Sequence, residues 1–213
     1  MTPEIQSQKT RALCQLAPVI PVIVIKDAAK AADLARALVT GGLPVLEVTL
    51  RTDAALDAIR AMAEIAGGHV GAGTVLTPDD AKRARDAGAK FAVSPGLTDR
   101  LITACADLDL PLLPGAVTAS EVMRAAESGF DMLKFFPAEA VGGAPALKSL
   151  ASPLPKVSFC PTGGVSPANA RSYLDLPNVV CVGGSWVMTE ADIAAGNWKA
   201  IEDRARDAAL LRT

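Results

Sequence analysis

Histidine is almost missing from this chain: His69 is the only one in 213 residues. That count removes metal centres built on histidine clusters, and any Ser-His-Asp arrangement would hang on this one side chain. His69 follows Gly67 and Gly68 at the entry to an apolar run, a position that predicts a structural role. Cysteine is sparse too, with Cys14, Cys105, Cys160 and Cys181 far apart and no CxxC pair. Such spacing predicts buried thiols and argues against a zinc site, a redox motif or disulfides. Aromatic residues make up only 4% of the chain, and no apolar run reaches the length of a membrane span. Neither sign of charge dominates. The net value is −2 with no basic block and no acidic tail, so neither a nucleic acid nor an anionic membrane is an expected partner. The first residues, MTPEIQSQKT, lack the charged-then-apolar layout of a secretory leader, and a cytoplasmic protein is expected.

What the chain has in quantity is Ala, Val and Leu, with half of it apolar. That composition suits an α/β protein with buried parallel strands. After a predicted helix over residues 3–15, eight apolar runs occur at 18–26, 44–51, 69–76, 90–96, 110–117, 131–138, 156–164 and 179–186. Amphipathic stretches separate them, with Asp, Thr or Ser near the start and Gly near the end, the usual capping asymmetry. Eight strands each followed by a helix predict a (β/α)8 TIM barrel with an extra N-terminal helix, in one domain over residues 1–213. The rival, an open doubly wound sheet, predicts a GxGxxG fingerprint after the first run, where IKDAAKAAD stands instead.

In a barrel of this kind chemistry belongs at the C-terminal ends of the strands. Only Lys26 and Lys134 among the lysines occupy such ends. In GFDMLKFFPA (129–138), alternation puts Met132, Lys134 and Phe136 on one face and Leu133 and Phe135 on the other. A lysine in an apolar site is costly as an ammonium, which favours the nucleophilic amine that imine chemistry needs. The bland alternative is a lysine that snorkels its charge past the rim. Phe136 and the apolar surroundings favour Lys134, whereas Lys26 runs into Asp27, but physics alone leaves both open.

The second run, VLEVTLRT, places Glu47, Thr49 and Arg51 on one face. Glu47 in a barrel mouth is expensive unless paired or used, and suits a general base. Arg51 is placed to clamp a carboxylate, and a structural Glu47–Arg51 ion pair is the alternative. In GAGTVL, Gly71 and Gly73 are expected to let a ligand or backbone come close, with Thr74 adding a hydroxyl. Pro95 and Gly96 shape the fourth strand end. Gly163-Gly164 ahead of Ser166-Pro167, read as a helix N-cap and N1, and Gly183-Gly184-Ser185 stand after the seventh and eighth strands, where barrels bind phosphate through backbone N–H groups. Tight turns are the alternative for each glycine pair.

Together these parts fit Schiff-base cleavage of a phosphorylated 2-keto acid without metal or cofactor. The segments PVIVIK, GGLPVLEVTLRT, GAGTVLTPDDAKRARDAGAKFAVSPG, LPLLPGAVTASEVMRAAESGFDMLKFFPAE, FCPTGGV and VGGSWV resemble the class I 2-keto-3-deoxy-6-phosphogluconate (KDPG) and 4-hydroxy-2-oxoglutarate (KHG) aldolases over most of the chain. The resemblance implies Lys134 as the Schiff-base lysine, which settles the choice against Lys26, and Glu47 as general acid/base. It implies Arg51 and Thr74 on the pyruvyl carboxylate, Pro95 and Phe136 as pocket walls, and Gly163, Gly164 and Ser185 on phosphate. It also implies a homotrimer acting in the Entner–Doudoroff pathway.

Overall fold

The computed structural model describes residues 1–212. Helix α1 (Pro3–Cys14) leads into an alternation of strands and helices: β1 (Val19–Ile23), α2 (Ala31–Thr40), β2 (Val45–Thr49), α3 (Ala55–Ala63), β3 (His69–Gly73) and α4 (Pro78–Asp86). It continues through β4 (Ala92–Val93), α5 (Asp99–Asp107), β5 (Leu112–Leu113), α6 (Ala119–Glu127), β6 (Met132–Phe135) and α7 (Gly143–Ala151). The remainder is β7 (Ser158–Pro161), α8 (Ala170–Leu174), β8 (Val182–Gly184), α9 (Glu190–Ala195) and α10 (Trp198–Ala209). All strand pairs are parallel. Six strands form a curled sheet in the order β5-β4-β3-β2-β1-β8, and β6 pairs with β7. Isolated bridges join the two sheets, Gly115 to Lys134 on one side and Phe159 to Val179 and Thr162 to Gly183 on the other.

Strand β2 is buried along its whole length, as expected where helices cover one face of a parallel strand and a core fills the other. Alternate residues divide between two cores. Leu46 and Val48 face the helices with Leu34, Leu38 and Ile59. Ile20, Val45, Phe91, Leu113 and Met132 fill the interior with Cys14, Cys160 and Cys181. Each fully buried Leu or Val contributes about 1.5–3 kcal/mol. All four cysteines are buried and unbridged, and burial pushes the Cys105 thiol up to about 12. Small residues set the closest approaches. A Cβ on Gly71 would fall 2.5 Å from the Phe91 ring, and one on Gly41 would fall 2.5 Å from Ala205 Cβ, where α2 meets α10.

Threonines cap five of the described helices, α1, α4, α5, α6 and α9. Thr77 and Thr118 form reciprocal capping boxes with Asp80 and Glu121, and Thr98 and Thr189 cap α5 and α9; a cap of this kind is worth about 1 kcal/mol. Backbone N–H groups of Thr118 and Val117 hold the Glu121 carboxyl below its usual range. The linker from β7 to α8 departs from expectation. Ser166 does not cap a helix; α8 begins at Ala170, and the Asn169 side chain accepts from Ser166 N–H at 2.7 Å and donates to Gly164 C=O at 3.0 Å. The Asn169 carboxamide thus competes with helix formation, and the intervening residues form a turn.

Helix α1 is latched beneath β5, β6 and β7. Ser7 Oγ donates to Asp131 Oδ1 at 2.6 Å and accepts from Met132 N–H at 2.9 Å. Arg11 reaches Ser158 Oγ at 3.0 Å and the Asp131 carbonyl at 2.9 Å, and Gln6 Oε1 accepts from Leu112 N–H at 3.2 Å. Lys134 therefore lies on a strand fixed at its N-terminal end, leaving the C-terminal end free for chemistry.

Candidate active site

Lys134 and Glu47 meet in the interior, between the curled sheet and the β6–β7 pair. Lys134 Nζ donates to Glu47 Oε1 at 2.9 Å, with the two side chains 7% and 4% exposed. Strand alternation sends both inward, one from β6 and the other from β2, and no helix-facing apolar residue is displaced. Neither charge has much water, so each depends on the other: a buried ion pair returns little net stability, whereas losing one partner is expensive. The Phe136 ring lies with its centroid 5.5 Å from Nζ, adding a cation–π contact.

Glycine makes room for the carboxylate. A Cβ on Gly73 would sit 2.3 Å from Glu47 Oε1 and 2.7 Å from its Cγ. Gly71 and Gly73 thus serve Phe91 and Glu47, two side chains of the protein itself, where a ligand or backbone was expected. Past the end of β3, Thr74 adopts a positive φ of 59°, uncommon for a β-branched residue, and its hydroxyl accepts from Arg51 Nε at 3.2 Å. Holding a threonine there costs about 1–3 kcal/mol, the kind of strain found at functional sites. The alternative reading, a Glu47–Arg51 ion pair, does not form; Arg51 turns to Thr74 and Glu47 to Lys134.

A cavity of about 160 Å³ opens above the pair. Its walls include Arg51, Lys134, Phe136, Gly163, Gly164 and Ser185, so six of the residues picked from sequence share one hollow. Glu47 and Thr74 are not among the lining residues and reach the hollow through Lys134 and Arg51, and Pro95 does not line it either. Its carbonyl backs onto Gly115, where a Cβ would come within 2.1 Å, and Gly115 bridges Lys134. Lys26 lies apart at the rim, 2.6 Å from Glu190 and 69% exposed. A larger hollow of about 460 Å³ at the opposite end is lined by Lys9, Leu16, His69, Lys90 and Asp109, and its lysine–carboxylate contact, Lys9 to Asp109 at 3.9 Å, is long and exposed. His69 belongs to that far end, away from the chemistry.

Sequence reasoning missed Thr162, Val22, Val24 and Val165, all of which line the cavity. Thr162 had a signal, since it continues the inward alternation of Cys160 beyond β7. Its hydroxyl occupies the space above Gly183, where a Cβ would lie 2.3 Å away. The glycine loop next to it takes φ values of 99° at Gly163 and 79° at Gly164, which only glycine accepts without strain.

Chemically the site offers an amine, a carboxylate within proton-transfer distance, a guanidinium–hydroxyl pair and a glycine-rich backbone cradle. Among the described residues no group of three or more His, Cys, Asp or Glu side chains is placed to hold a metal ion. No helix among them is long and apolar enough to cross a membrane.

The sequence profile of a family described as KDPG and KHG aldolase matches residues 10–204. A KHG/KDPG aldolase of Escherichia coli is 52% identical over 192 residues, which is 90% of each chain. Among solved structures, a 2-keto-3-deoxy-6-phosphogluconate aldolase of Zymomonas mobilis with 3-phosphoglycerate superposes with a TM-score of 0.90 at 48% identity, covering 96% of this chain and 97% of that one. A KDPG aldolase of Legionella pneumophila, with pyruvate captured as a covalent carbinolamine intermediate, gives a TM-score of 0.90 at 45% identity over 93% of this chain and 97% of that one.

Proposed function

The chain belongs to the KDPG and KHG aldolase family, and from that premise we propose how its residues divide the work. It is a class I lyase that cleaves 2-dehydro-3-deoxy-6-phosphogluconate to pyruvate and glyceraldehyde 3-phosphate, with 4-hydroxy-2-oxoglutarate as a second substrate. The observation that carries the assignment of residues is the buried 2.9 Å contact between Lys134 and Glu47. Glu47 takes a proton from Nζ, and the free amine adds to the C2 carbonyl to give a carbinolamine; Glu47 returns its proton to the carbinolamine hydroxyl, which leaves as water and gives an iminium beside an ionised Glu47. Glu47 then removes the C4 hydroxyl proton. The C3–C4 bond breaks, its electrons move to the iminium nitrogen, and the aldehyde departs. Protonation of the enamine at C3 and hydrolysis release pyruvate and restore the amine. Arg51 and Thr74 hold the pyruvyl carboxylate. Phe136 walls the pocket and Pro95 shapes it from behind Gly115. Gly163, Gly164 and Ser185 hold the phosphate with backbone N–H groups and a hydroxyl.

Reduction with borohydride in the presence of pyruvate tests this assignment. Peptide mass mapping is expected to find the pyruvyl adduct on Lys134. An adduct on Lys26, or pyruvate bound without any adduct, would overturn it; the second outcome would favour a phosphosugar-binding protein without chemistry, or a barrel isomerase. Gly73→Ala offers a steric check. The added methyl pushes Glu47 off Nζ, and turnover should fall about a hundredfold, since a misplacement near 1 Å costs that much. Steady-state kinetics of pyruvate release would reveal it, and unchanged turnover would show that the placement of Glu47 is not critical.

The closed (β/α)8 barrel, with α1 as its extra helix, and one domain over residues 1–213 complete this reading. The bridges between β5 and β6 and between β7 and β8 support closure. A homotrimer, a cytoplasmic location and a place in the Entner–Doudoroff pathway are proposed with it, on the strength of the family resemblance.

A further inference from the structure

Two consecutive glycines at positive φ make a loop that has little conformational preference of its own, yet a phosphate cradle has to be ready before the ligand arrives. Something outside the loop must hold it. Every carbonyl from Thr162 to Gly164 is taken by a protein donor. Thr162 C=O accepts from Ala138 N–H at 2.8 Å, Gly163 C=O from Glu139 N–H at 3.1 Å, and Gly164 C=O from Asn169 Nδ2 at 3.0 Å. A trans peptide is planar, with its N–H directed opposite its C=O. Fastening these three carbonyls therefore sets the direction of the N–H groups of Gly163, Gly164 and Val165, three residues that line the cavity.

Two of the three fastenings come from residues 138 and 139, and a side-chain contact holds that segment in turn. The Glu139 stem lies against Gly164, where a Cβ would come within 2.5 Å of its Cγ and 2.7 Å of its Cβ. The Glu139 carboxylate accepts a hydrogen bond from the Tyr173 hydroxyl. Tyr173, the only tyrosine in the chain, is fully buried on α8. Burial, then the neighbouring Glu139, pushes its phenol above the usual range, so it stays a donor. A buried phenol needs a partner, and this one has a carboxylate beside the glycine loop. Glu139 is otherwise an odd neighbour for a phosphate, because its charge would repel a dianion. Its contribution must come from support.

We propose that Tyr173 and Glu139 are positioning residues for phosphate recognition: the hydroxyl anchors the carboxylate, whose stem and backbone N–H hold the Gly163–Gly164 loop in its anion-binding shape. The proposal rests on the aldolase reading given above, and it concerns only the phosphorylated end of the substrate.

The experiment compares a reaction that needs the phosphate with one that does not. The first is cleavage of 2-dehydro-3-deoxy-6-phosphogluconate. The second is exchange of the pyruvate methyl protons for deuterium, which uses Lys134 and Glu47 but no phosphate. Tyr173→Phe and Glu139→Ala should each raise KM for the phosphorylated substrate about fivefold or more, the scale of a lost charge-assisted hydrogen bond, with kcat nearly unchanged. Pyruvate exchange should keep its rate and its KM. Glu139→Gln keeps both the stem and an acceptor, and should behave as wild type; an improved KM with this variant would mean that charge repulsion, not support, is what Glu139 supplies. Unchanged KM in Tyr173→Phe and Glu139→Ala would overturn the proposal, and so would parallel loss of both reactions, which marks a general structural role. If Tyr173→Phe fails to fold, the Glu139→Ala and Glu139→Gln pair decides. Failure of the aldolase reading itself would be visible separately, as a wild-type protein that performs neither reaction.

Discussion

Lys134→Ala is expected to lower aldol cleavage by more than about ten-thousandfold, the scale that removing a covalent nucleophile reaches in other enzymes. Without the amine no iminium forms, and the electrons of the breaking C3–C4 bond have nowhere to go. The same change should also destabilise the protein. Glu47 would be left 4% exposed with its partner gone, and an uncompensated buried charge costs about 3–5 kcal/mol. Activity and stability can be pulled apart with a double replacement. In Lys134→Met/Glu47→Leu both charges go and apolar volume takes their place, so the melting temperature should return to wild type or above while turnover stays abolished. Denaturant melts beside pyruvate-release assays would reveal this. A Lys134→Ala protein with near-wild-type turnover would end the Schiff-base assignment, and a double variant less stable than the single one would show that the pair does contribute net stability.

Glu47→Gln should leave imine chemistry possible and slow turnover by about a hundredfold or more, as removal of a positioned acid/base does. The amide keeps an acceptor for Nζ and nearly the same shape beside Gly73, so the lysine stays in place. What is lost is a group that can take the proton of Nζ or of the C4 hydroxyl and return one to C3, so water has to relieve the ammonium before a slower imine formation. Borohydride should therefore still trap pyruvate on Lys134 in this variant, although single-turnover cleavage becomes slow. Pyruvate release at the wild-type rate would make Glu47 a structural partner of the lysine and leave the proton transfers to water.

Much of this was legible in the chain, for identifiable reasons. Eight apolar runs separated by capped amphipathic stretches announce parallel strands under helices, because a strand buried on both faces has to be apolar throughout. Period-2 alternation put Lys134 and Glu47 on inward faces, and the structure joins them. Strand ends were harder to read. The runs over 90–96 and 110–117 each yield a strand of only two residues, since Pro95, Pro111 and Pro114 lack the N–H a ladder requires. The choice between Lys26 and Lys134 was likewise closed to local physics. Lys26 lies three residues beyond the end of β1 and finds Glu190, 164 residues away, at the solvated rim. The glycines misled in an instructive way. Gly71 and Gly73 signal close approach, but a sequence does not say who approaches, and here the visitors are Phe91 and Glu47. Ser166 looked like a helix cap because Asn169, three residues on, had no visible reason to take its N–H.

The order of strands gives the proposed catalytic pair an unusual dependence. Glu47 stands on β2 and Lys134 on β6, 87 residues apart in the chain, and the link from β5 to β6 consists of one bridge, made by Lys134 itself with Gly115. Neither half of the molecule holds a working site, and a fragment ending before β6 would carry a carboxylate with nothing to act on. On that reading catalysis reports assembly: a chain with every helix formed but that one seam unzipped is expected to be inert. Turnover is then expected only once β6 has joined β5, which would make activity a stricter witness to the completed molecule than its helix content.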